Sequence, residues 1–534
     1  MATPAVGQQV LDRVDPAAIA RERLPLENSA PPPKLRVEVE APAAPVATVG
    51  PPVLVGAVLV HGLRVLTPGD FADIVTTRIG RTLDPEQLAE LASAVGARAR
   101  ERGLAFSSAW IEPQALANGI LTISIDEGQI DEIQIDGPKQ PAVEAALKPL
   151  VTGRPARISE VERRLLIAGD IDGVLVTGSR YVREGGRGIL VVRLLTDRLS
   201  ARIVATNDGS RPIGPAQMRI DVDMNALFAS DDAFTVTYST TPLQPNELQY
   251  ARARYSKRIS RDGTEIALVG SSSLAHPGAY IGYLDIRSRS WFAGIEMLQP
   301  LARRRAASLW MQGALGVRDI AQRRRGDLVR HDRIVAARIS LYGASRFAGG
   351  RLRVNATVSR GLGILGASEF GDSLSSRRDA GASFTTLSAW TDWTRSLGGD
   401  FSMRLAVQSQ LSSKPLFFAE EIGIGGTAFV RGYDWSERSG DQGAMGSVEF
   451  RYDWAKPFRL LRNLQLYGYF DGGEVTNLAD GYGDGSLASG GGGFRADISR
   501  KMDANLEVAV PLSGPRYDTD DRSPKINVRL IRTF

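Results

Sequence analysis

Beyond Arg198 apolar and polar residues alternate along most of the chain, and a period of two places successive side chains on opposite faces of a strand. Strand-sized segments of this kind are Met218 to Met224, Phe234 to Ser239, Leu248 to Tyr255, Glu265 to Gly270, Ser308 to Val317, Ile334 to Tyr342, Leu352 to Val358, Phe401 to Leu411, Met445 to Asp453 and Leu464 to Phe470. Polar, glycine-bearing stretches such as Arg261-Asp262-Gly263 and Ala348-Gly349-Gly350 separate them. The chain closes on Ile526-Asn-Val-Arg-Leu-Ile-Arg-Thr-Phe534, where Ile526, Val528, Leu530 and Phe534 share one parity and so one face.

Upstream the pattern mixes both periods. Residues 53–127 read as β-α-α-β-β, with Val53 to Val60 a strand and Thr67-Pro-Gly-Asp-Phe71 opening a helix. Asp84-Pro85-Glu86 supplies an N-cap, a proline at the first helical position and an acid in the first turn. Leu88, Leu91, Ala92 and Val95 then recur at helical spacing up to Gly103. Phe106 to Ile111 and Gly119 to Ile125 are strand-like. Residues 128–197 repeat the plan, and Gly119-Ile-Leu-Thr-Ile-Ser-Ile is echoed 69 residues later by Gly188-Ile-Leu-Val-Val-Arg-Leu, the mark of a duplicated module.

Composition narrows the class of protein. A chain of 534 residues is too long for one core. It contains no run of about 18 apolar residues, but a barrel that crosses a membrane with alternating strands needs none. With no cysteine, disulfides and thiolate chemistry are excluded, and His61, His276 and His331 lack ligand spacing, so no metal or cofactor is expected. No nucleophile, base and orienting group can be assembled into an enzyme site. Arg303-Arg304-Arg305 and Arg323-Arg324-Arg325 lack the interleaved aromatics of single-strand nucleic-acid binders and read as charges at loop or barrel ends.

The most distinctive stretch is Glu421-Ile-Gly-Ile-Gly-Gly-Thr-Ala-Phe-Val-Arg-Gly-Tyr433, read as a constrained loop and not a strand. Gly425 and Gly426 allow positive φ, so the segment can fold back and hold Arg431 at a fixed point. Val430, Arg431, Gly432 and Tyr433, the preceding acids Glu420 and Glu421, and the downstream Tyr469-Phe-Asp471-Gly-Gly473 together resemble the outer-membrane transporters of two-partner secretion, the haemolysin secretion/activation family. Tyr469 stands where that family more often has Phe.

The resemblance implies a fold of two N-terminal α+β modules, tandem POTRA domains at 53–127 and 128–198, ahead of an all-β transmembrane barrel of 16 antiparallel strands over 199–534. Sixteen strands allow about 21 residues per strand and connection, which suits tilted strands of about 9–11 residues. It further implies that Arg431 pairs with Asp471 on the inner wall, and that Tyr469 and Gly473 frame that aspartate. Phe534, after Ile526, Val528 and Leu530, resembles the sorting signal read by the barrel-assembly machinery, with Arg532 where an apolar residue is usual. Phe106, Trp110 and Ile111 in the first module are the candidate client contacts. The implied function is a monomeric outer-membrane pore that recognises an unfolded exoprotein through periplasmic modules and secretes it. The implied partners are that exoprotein, outer-membrane lipid and lipopolysaccharide, and the assembly machinery. An insertase of the same superfamily and a passive porin are the alternatives.

Residues 1–25 hold a short amphipathic pattern broken at Pro16, and 26–52 are rich in Pro, Ala and Val. The first segment reads equally as a helix that plugs the pore, as the family uses such a segment, or as a disordered tail, and the second as an extended linker. Met1 to Gln9 lacks a basic stretch followed by an apolar one, so the sequence is expected to be either a mature form with an added Met or one with a wrong start.

Overall fold

The structure, a computed structural model, describes residues 37–39, 52–112, 114, 119–455, 457 and 461–534. The expected plug helix and most of the 26–52 linker lie outside the described residues. A three-residue piece of the linker is described: β1 (Val37–Val39).

In the first module β2 (Val53–Leu54), β3 (Ala57–His61), α1 (Ala72–Thr76), β4 (Thr82–Leu83), α2 (Pro85–Glu101), β5 (Ser108–Trp110) and β6 (Ile120–Asp126) follow in order. Asp84 caps α2 reciprocally: its carboxylate accepts from Gln87 N at 2.8 Å, and Gln87 Oε1 accepts from Asp84 N at 3.1 Å. The apolar stripe Leu91, Val95 and Ala99 is thereby aimed at Leu121, Ile123 and Ile125 of β6. The sheet runs β3-β6-β5, so among the described residues β3 and β5 are each unpaired along one edge.

The second module contains β7 (Glu132–Asp136), α3 (Pro141–Leu147), α4 (Ile158–Gly169), β8 (Val174–Glu184) and β9 (Arg187–Thr196). Its sheet order is β1-β8-β9-β7, so the linker strand β1, which the proline-rich composition did not reveal, covers the β8 edge in parallel. Cross-links join the modules: Arg64 donates to Gln129 Oε1 at 2.7 Å and to Gly153 O at 2.9 Å, and Ala105 N donates to Ala156 O at 3.1 Å.

From Leu199 onward the strands form one closed barrel. Its first half is β10 (Leu199–Thr206), β11 (Gln217–Asn225), β12 (Asp232–Thr240), β13 (Leu248–Arg258), β14 (Glu265–Ala275), β15 (Ile286–Arg303), β16 (Ala307–Arg324) and β17 (Asp327–Phe347). β18 (Gly350–Gly361), β19 (Thr385–Gly398) and β20 (Phe401–Ser412) follow, then β21 (Ile422–Ile424) and β22 (Arg438–Gly440), which stay outside the ring. β23 (Gln442–Ala455), β24 (Asn463–Thr476), β25 (Gly485–Ser499), β26 (Met502–Pro511) and β27 (Lys525–Thr533) complete it, and β27 pairs antiparallel with β10. Sixteen antiparallel strands are thus present, and closure leaves no row of unpaired backbone groups.

Alternation sorts the side chains. Leu268, Ile339, Val358, Leu411, Phe450 and Phe470 face outward, whereas Asp221, Glu449, Asp471 and Glu507 are buried inside. Of the tryptophans, Trp291 and Trp454 lie exposed on the outer face near strand ends, Trp390 is buried inward, and Trp435 belongs to the loop between β22 and β21, so only part of the set forms a girdle. The second module docks on the near rim. Arg303 Nε donates to Asp170 Oδ2 at 2.7 Å, Arg258 donates to the α4 carbonyl of Ile167 at 3.0 Å, and Arg164 meets Asp262 at 3.0 Å. Guanidinium groups at the C-terminal end of α4 also complement its dipole.

Candidate functional site

The connection between β20 and β23, residues 413–441, is the longest between barrel strands and folds into the lumen. It is not wholly a loop: Ile422–Ile424 pairs with Arg438–Gly440 as a narrow antiparallel ribbon, because Ile422 and Ile424 find apolar cover in Val475, Met445 and Leu487. Beyond the ribbon the chain reverses at Gly425 and Gly426, with φ +108° and +110°. A Cβ at Gly425 would stand 2.1 Å from Asp434 O, so no other residue fits. Gly426 N donates to Tyr433 O at 3.2 Å and Tyr433 N to Val430 O at 3.1 Å, which closes 426–433 into a compact tip.

Each residue of the tip has a separate contact. Val430, at φ +54°, is fully buried among Phe429, Ile422 and Met445. Gly432 lies against the wall, where a Cβ would come within 2.8 Å of Pro511 N and 3.0 Å of Ser489 Cβ. The Tyr433 hydroxyl accepts from Ser513 N and Gly514 N at 3.2 and 3.0 Å and donates to Gly514 O at 2.9 Å. Val430 and Tyr433 therefore anchor the tip, and Arg431 is left to reach the wall.

Arg431 meets Asp471 of β24 through two donors, Nε to Oδ2 at 2.8 Å and Nη2 to Oδ1 at 3.1 Å. This is the fork geometry a guanidinium offers a carboxylate. Nη1 donates further to Glu449 Oε2 at 3.0 Å and Glu507 Oε2 at 3.1 Å, and Nη2 to Ser447 Oγ at 3.3 Å. The guanidinium lies 3.2 Å above the Tyr469 ring centroid. Around it Arg451 and Arg495 bind Glu449 at 2.6 and 2.8 Å, and Tyr467 donates to Glu507 Oε2 at 3.0 Å. Three buried carboxylates thus face three guanidinium groups, of which Arg431 is buried with them while Arg451 and Arg495 keep part of their side chains exposed. Glu449, Glu507, Ser447, Tyr467 and Arg495 are absent from the sequence reading, since an acid at a lumen-facing position of an alternating strand looks like any other solvated charge. Gly491, across from Tyr469, leaves room for the ring: a Cβ there would stand 2.7 Å from Tyr469 Oη. Gly473 packs against Met445, its Cβ position 2.7 Å from Met445 Cβ.

The Tyr469 hydroxyl is buried, and among the described residues it has no hydrogen-bond partner. An unsatisfied buried hydroxyl costs about 1–3 kcal/mol. Tyr469→Phe is therefore expected to keep full export and to raise the temperature at which the folded barrel loses its compact migration on a gel. A lower temperature would mean that the hydroxyl holds a bond that matters.

The other candidates scatter. Phe106 is not available to a client: it is 1% exposed and stacks on Tyr181 of the second module, ring centroids 4.1 Å apart and 5° from parallel. The turn that ends α2 carries it into the joint, where a large apolar ring is better buried than wet. Trp110 sits half-buried on β5 at the free edge, its Nε1 donating to Glu112 Oε1 at 3.2 Å, and Ile111 packs partly on the first module's core. Ile526, Leu530 and Phe534 are exposed on the outer face of β27 and its end, Val528 shares their parity, and Phe534 N donates to Ala201 O at 2.9 Å.

Comparison with known proteins supplies the context for this geometry. The family model of the haemolysin secretion/activation protein ShlB/FhaC/HecB matches residues 185–496, and that of the ShlB-type POTRA domain matches 53–128. The outer membrane transporter CdiB of Dickeya dadantii is 21% identical over 82% of this chain and 79% of its own. The heme/hemopexin transporter protein HuxB of Haemophilus influenzae is 20% identical over 87% of this chain and 84% of its own. Among solved structures, CdiB from Escherichia coli matches with a TM-score of 0.69 at 18% identity, covering 99% of this chain and 98% of that one. A BamA structure from Haemophilus ducreyi shares the fold, with a TM-score of 0.55 at 11% identity over 90% of this chain and all of that one. With the family matched over more than half its length, a 16-strand barrel and a POTRA module ahead of it, the chain belongs to the haemolysin secretion/activation family of two-partner secretion transporters, proteins of the outer membrane whose POTRA domains lie in the periplasm.

Proposed function

We propose that this chain exports one unfolded exoprotein partner, captured as an extended segment at the periplasmic modules and passed through the lumen once the 413–441 loop moves aside. The observation that carries this reading is a free strand edge, β5, next to a closed barrel whose bore is filled by a loop held on charged groups. An extended polypeptide adds to a sheet edge through main-chain bonds, which tolerate many sequences. The β8 edge is already taken by β1, which leaves β3, β5 and β7 each unpaired along one edge among the described residues, and of these β5 carries the half-buried Trp110. A porin would have no use for the modules, and the likeness to BamA is one of fold alone.

The experiment is binding of a labelled N-terminal client segment to the detergent-solubilised protein. Trp110→Ala is expected to weaken binding about tenfold, as loss of an aromatic anchor does. Phe106→Ala should instead loosen the joint between the modules and show up as faster proteolysis there. Equal binding by Trp110→Ala would move the client off the β5 edge.

The remaining partners are also proposals. Closure of β10 on β27 leaves no barrel edge for a second copy, which favours a monomeric pore. Ile526, Leu530 and Phe534 present the apolar face that the assembly machinery would read. Arg287 and Arg323 stand directly opposite on β15 and β16 at the extracellular end, both exposed, with Arg289 beside them. Asp285 answers Arg287 at 3.3 Å, but two guanidinium groups side by side outnumber that one carboxylate, and phosphates of lipopolysaccharide would balance the excess.

A further inference from the structure

Far from the Arg431 site, a second arginine is buried on the extracellular side, in the 362–384 connection between β18 and β19. Arg377 Nη1 donates to Glu421 Oε1 at 3.0 Å, Asp441 Oδ1 at 2.8 Å and Asn477 Oδ1 at 3.1 Å. Nε and Nη2 take Asp379 at 3.1 and 2.7 Å, and Nη2 also donates to Leu478 O at 2.9 Å. Glu421 stands just before β21 and Asp441 just after β22, so the two are the roots of the ribbon that carries Arg431. Asn477 and Leu478 begin the connection between β24 and β25. Asp441 is fully buried and accepts from Leu416 N and Leu478 N, each at 2.7 Å. One guanidinium thus joins three extracellular connections and faces three carboxylates.

The two arginines differ in what they tie. Arg431 fastens the loop tip to strands of the wall, which cannot move without tearing the ring. Arg377 fastens connections to one another, with none of these bonds reaching a barrel strand, so its release leaves the ring intact. Burial by itself would lower the proton affinity of Arg377, but the hydrogen bonds of Asp379 and the charges of Glu421 and Asp441 outweigh it and hold the group above its ordinary range.

We propose that Arg377 is a positioning residue for export: an outer latch that holds the roots of the 413–441 loop and the neighbouring connections together, closes the extracellular mouth at rest, and lets go when a client passes. The proposal rests on the export function stated above. Without the guanidinium, Asp379, Glu421 and Asp441 are left crowded together, and their repulsion drives the connections apart.

Two experiments test it. In planar bilayers, full-length Arg377→Gln is expected to spend about tenfold more time in its high-conductance state than the unaltered protein, because a lost buried pair shifts a two-state balance by a decade or more. Arg377→Lys should fall between, since a single ammonium cannot span three carboxylates. Adding Asp441→Asn to Arg377→Gln should restore part of the closure by removing one repelling charge, an effect a purely structural arginine would not give. Unchanged gating in Arg377→Gln overturns the proposal.

The second test does not depend on that variant folding. The chain has no cysteine, and Ser376 Oγ accepts from Phe418 N at 3.1 Å, so the 362–384 and 413–441 connections touch there and a cysteine pair at these positions tests the contact. In Ser376→Cys/Phe418→Cys, oxidation is expected to stop export and reduction to restore it. Equal export by the oxidised and reduced forms overturns the latch while export by the unaltered chain stands, whereas no export by the unaltered chain overturns the function itself.

Discussion

Replacement of Arg431 by alanine will reduce export of the partner by at least about tenfold, and replacement of Asp471 will do so somewhat less, because breaking a buried pair from one side costs about 3–5 kcal/mol. The asymmetry follows from the geometry. Asp471→Ala leaves Arg431 with Glu449 and Glu507 at 3.0 and 3.1 Å, whereas Arg431→Ala leaves all three carboxylates without the cation that bridges them. The double variant should export little less than Arg431→Ala alone, since the two groups act as one unit. Arg431→Lys should rescue incompletely, because an ammonium cannot fork onto Asp471 while reaching the two glutamates. Secretion assays on the four strains, with barrel assembly checked by heat-dependent gel migration, decide it. Independent, additive losses would show that the loop works without this contact.

How much of this was legible beforehand depends on the range of the interaction that fixes each feature. Local signals were strong: Asp84-Pro85-Glu86 begins α2 where the N-cap and proline put it, and alternating parity separates Phe470 from Asp471 across the wall. Both are set by near neighbours in sequence. The Arg431–Asp471 contact spans 40 residues, and only the family resemblance pointed to it, because no spacing rule joins a loop tip to a strand of the wall. Glu449 and Glu507 were invisible for the same reason. The strand character of Ile422–Ile424 depends on cover from Val475 and Leu487, contacts that exist only once the barrel closes. Phe106 misled because an apolar residue opening a strand-like stretch, Phe106 to Ile111, reads alike whether it faces a client or a neighbouring module. The linker strand β1 is short and proline-flanked, and its pairing is supplied by β8, about 140 residues away.

Deletion of residues 53–197 is expected to leave a barrel that assembles and conducts ions but exports at background level. The hydrogen-bonded ring runs from β10 to β27 without a strand from either module, so its cohesion does not need them. The ties across the junction are mainly ion pairs and a few hydrogen bonds at the periplasmic rim, among them Arg303 with Asp170 and Arg164 with Asp262. Here the contrast with Arg431 matters. Truncating one partner inside the lumen strands a charge away from water, but removing the whole module opens Arg303 and Arg258 to solvent, where a lost pair is worth only about 0–1 kcal/mol. What disappears is the β5 edge, the strand-pairing surface proposed above as the client's first hold. Export by the deletion strain above a tenth of the unaltered level would place client recognition in the barrel itself, and loss of the heat-modifiable form would show that the modules are needed for assembly.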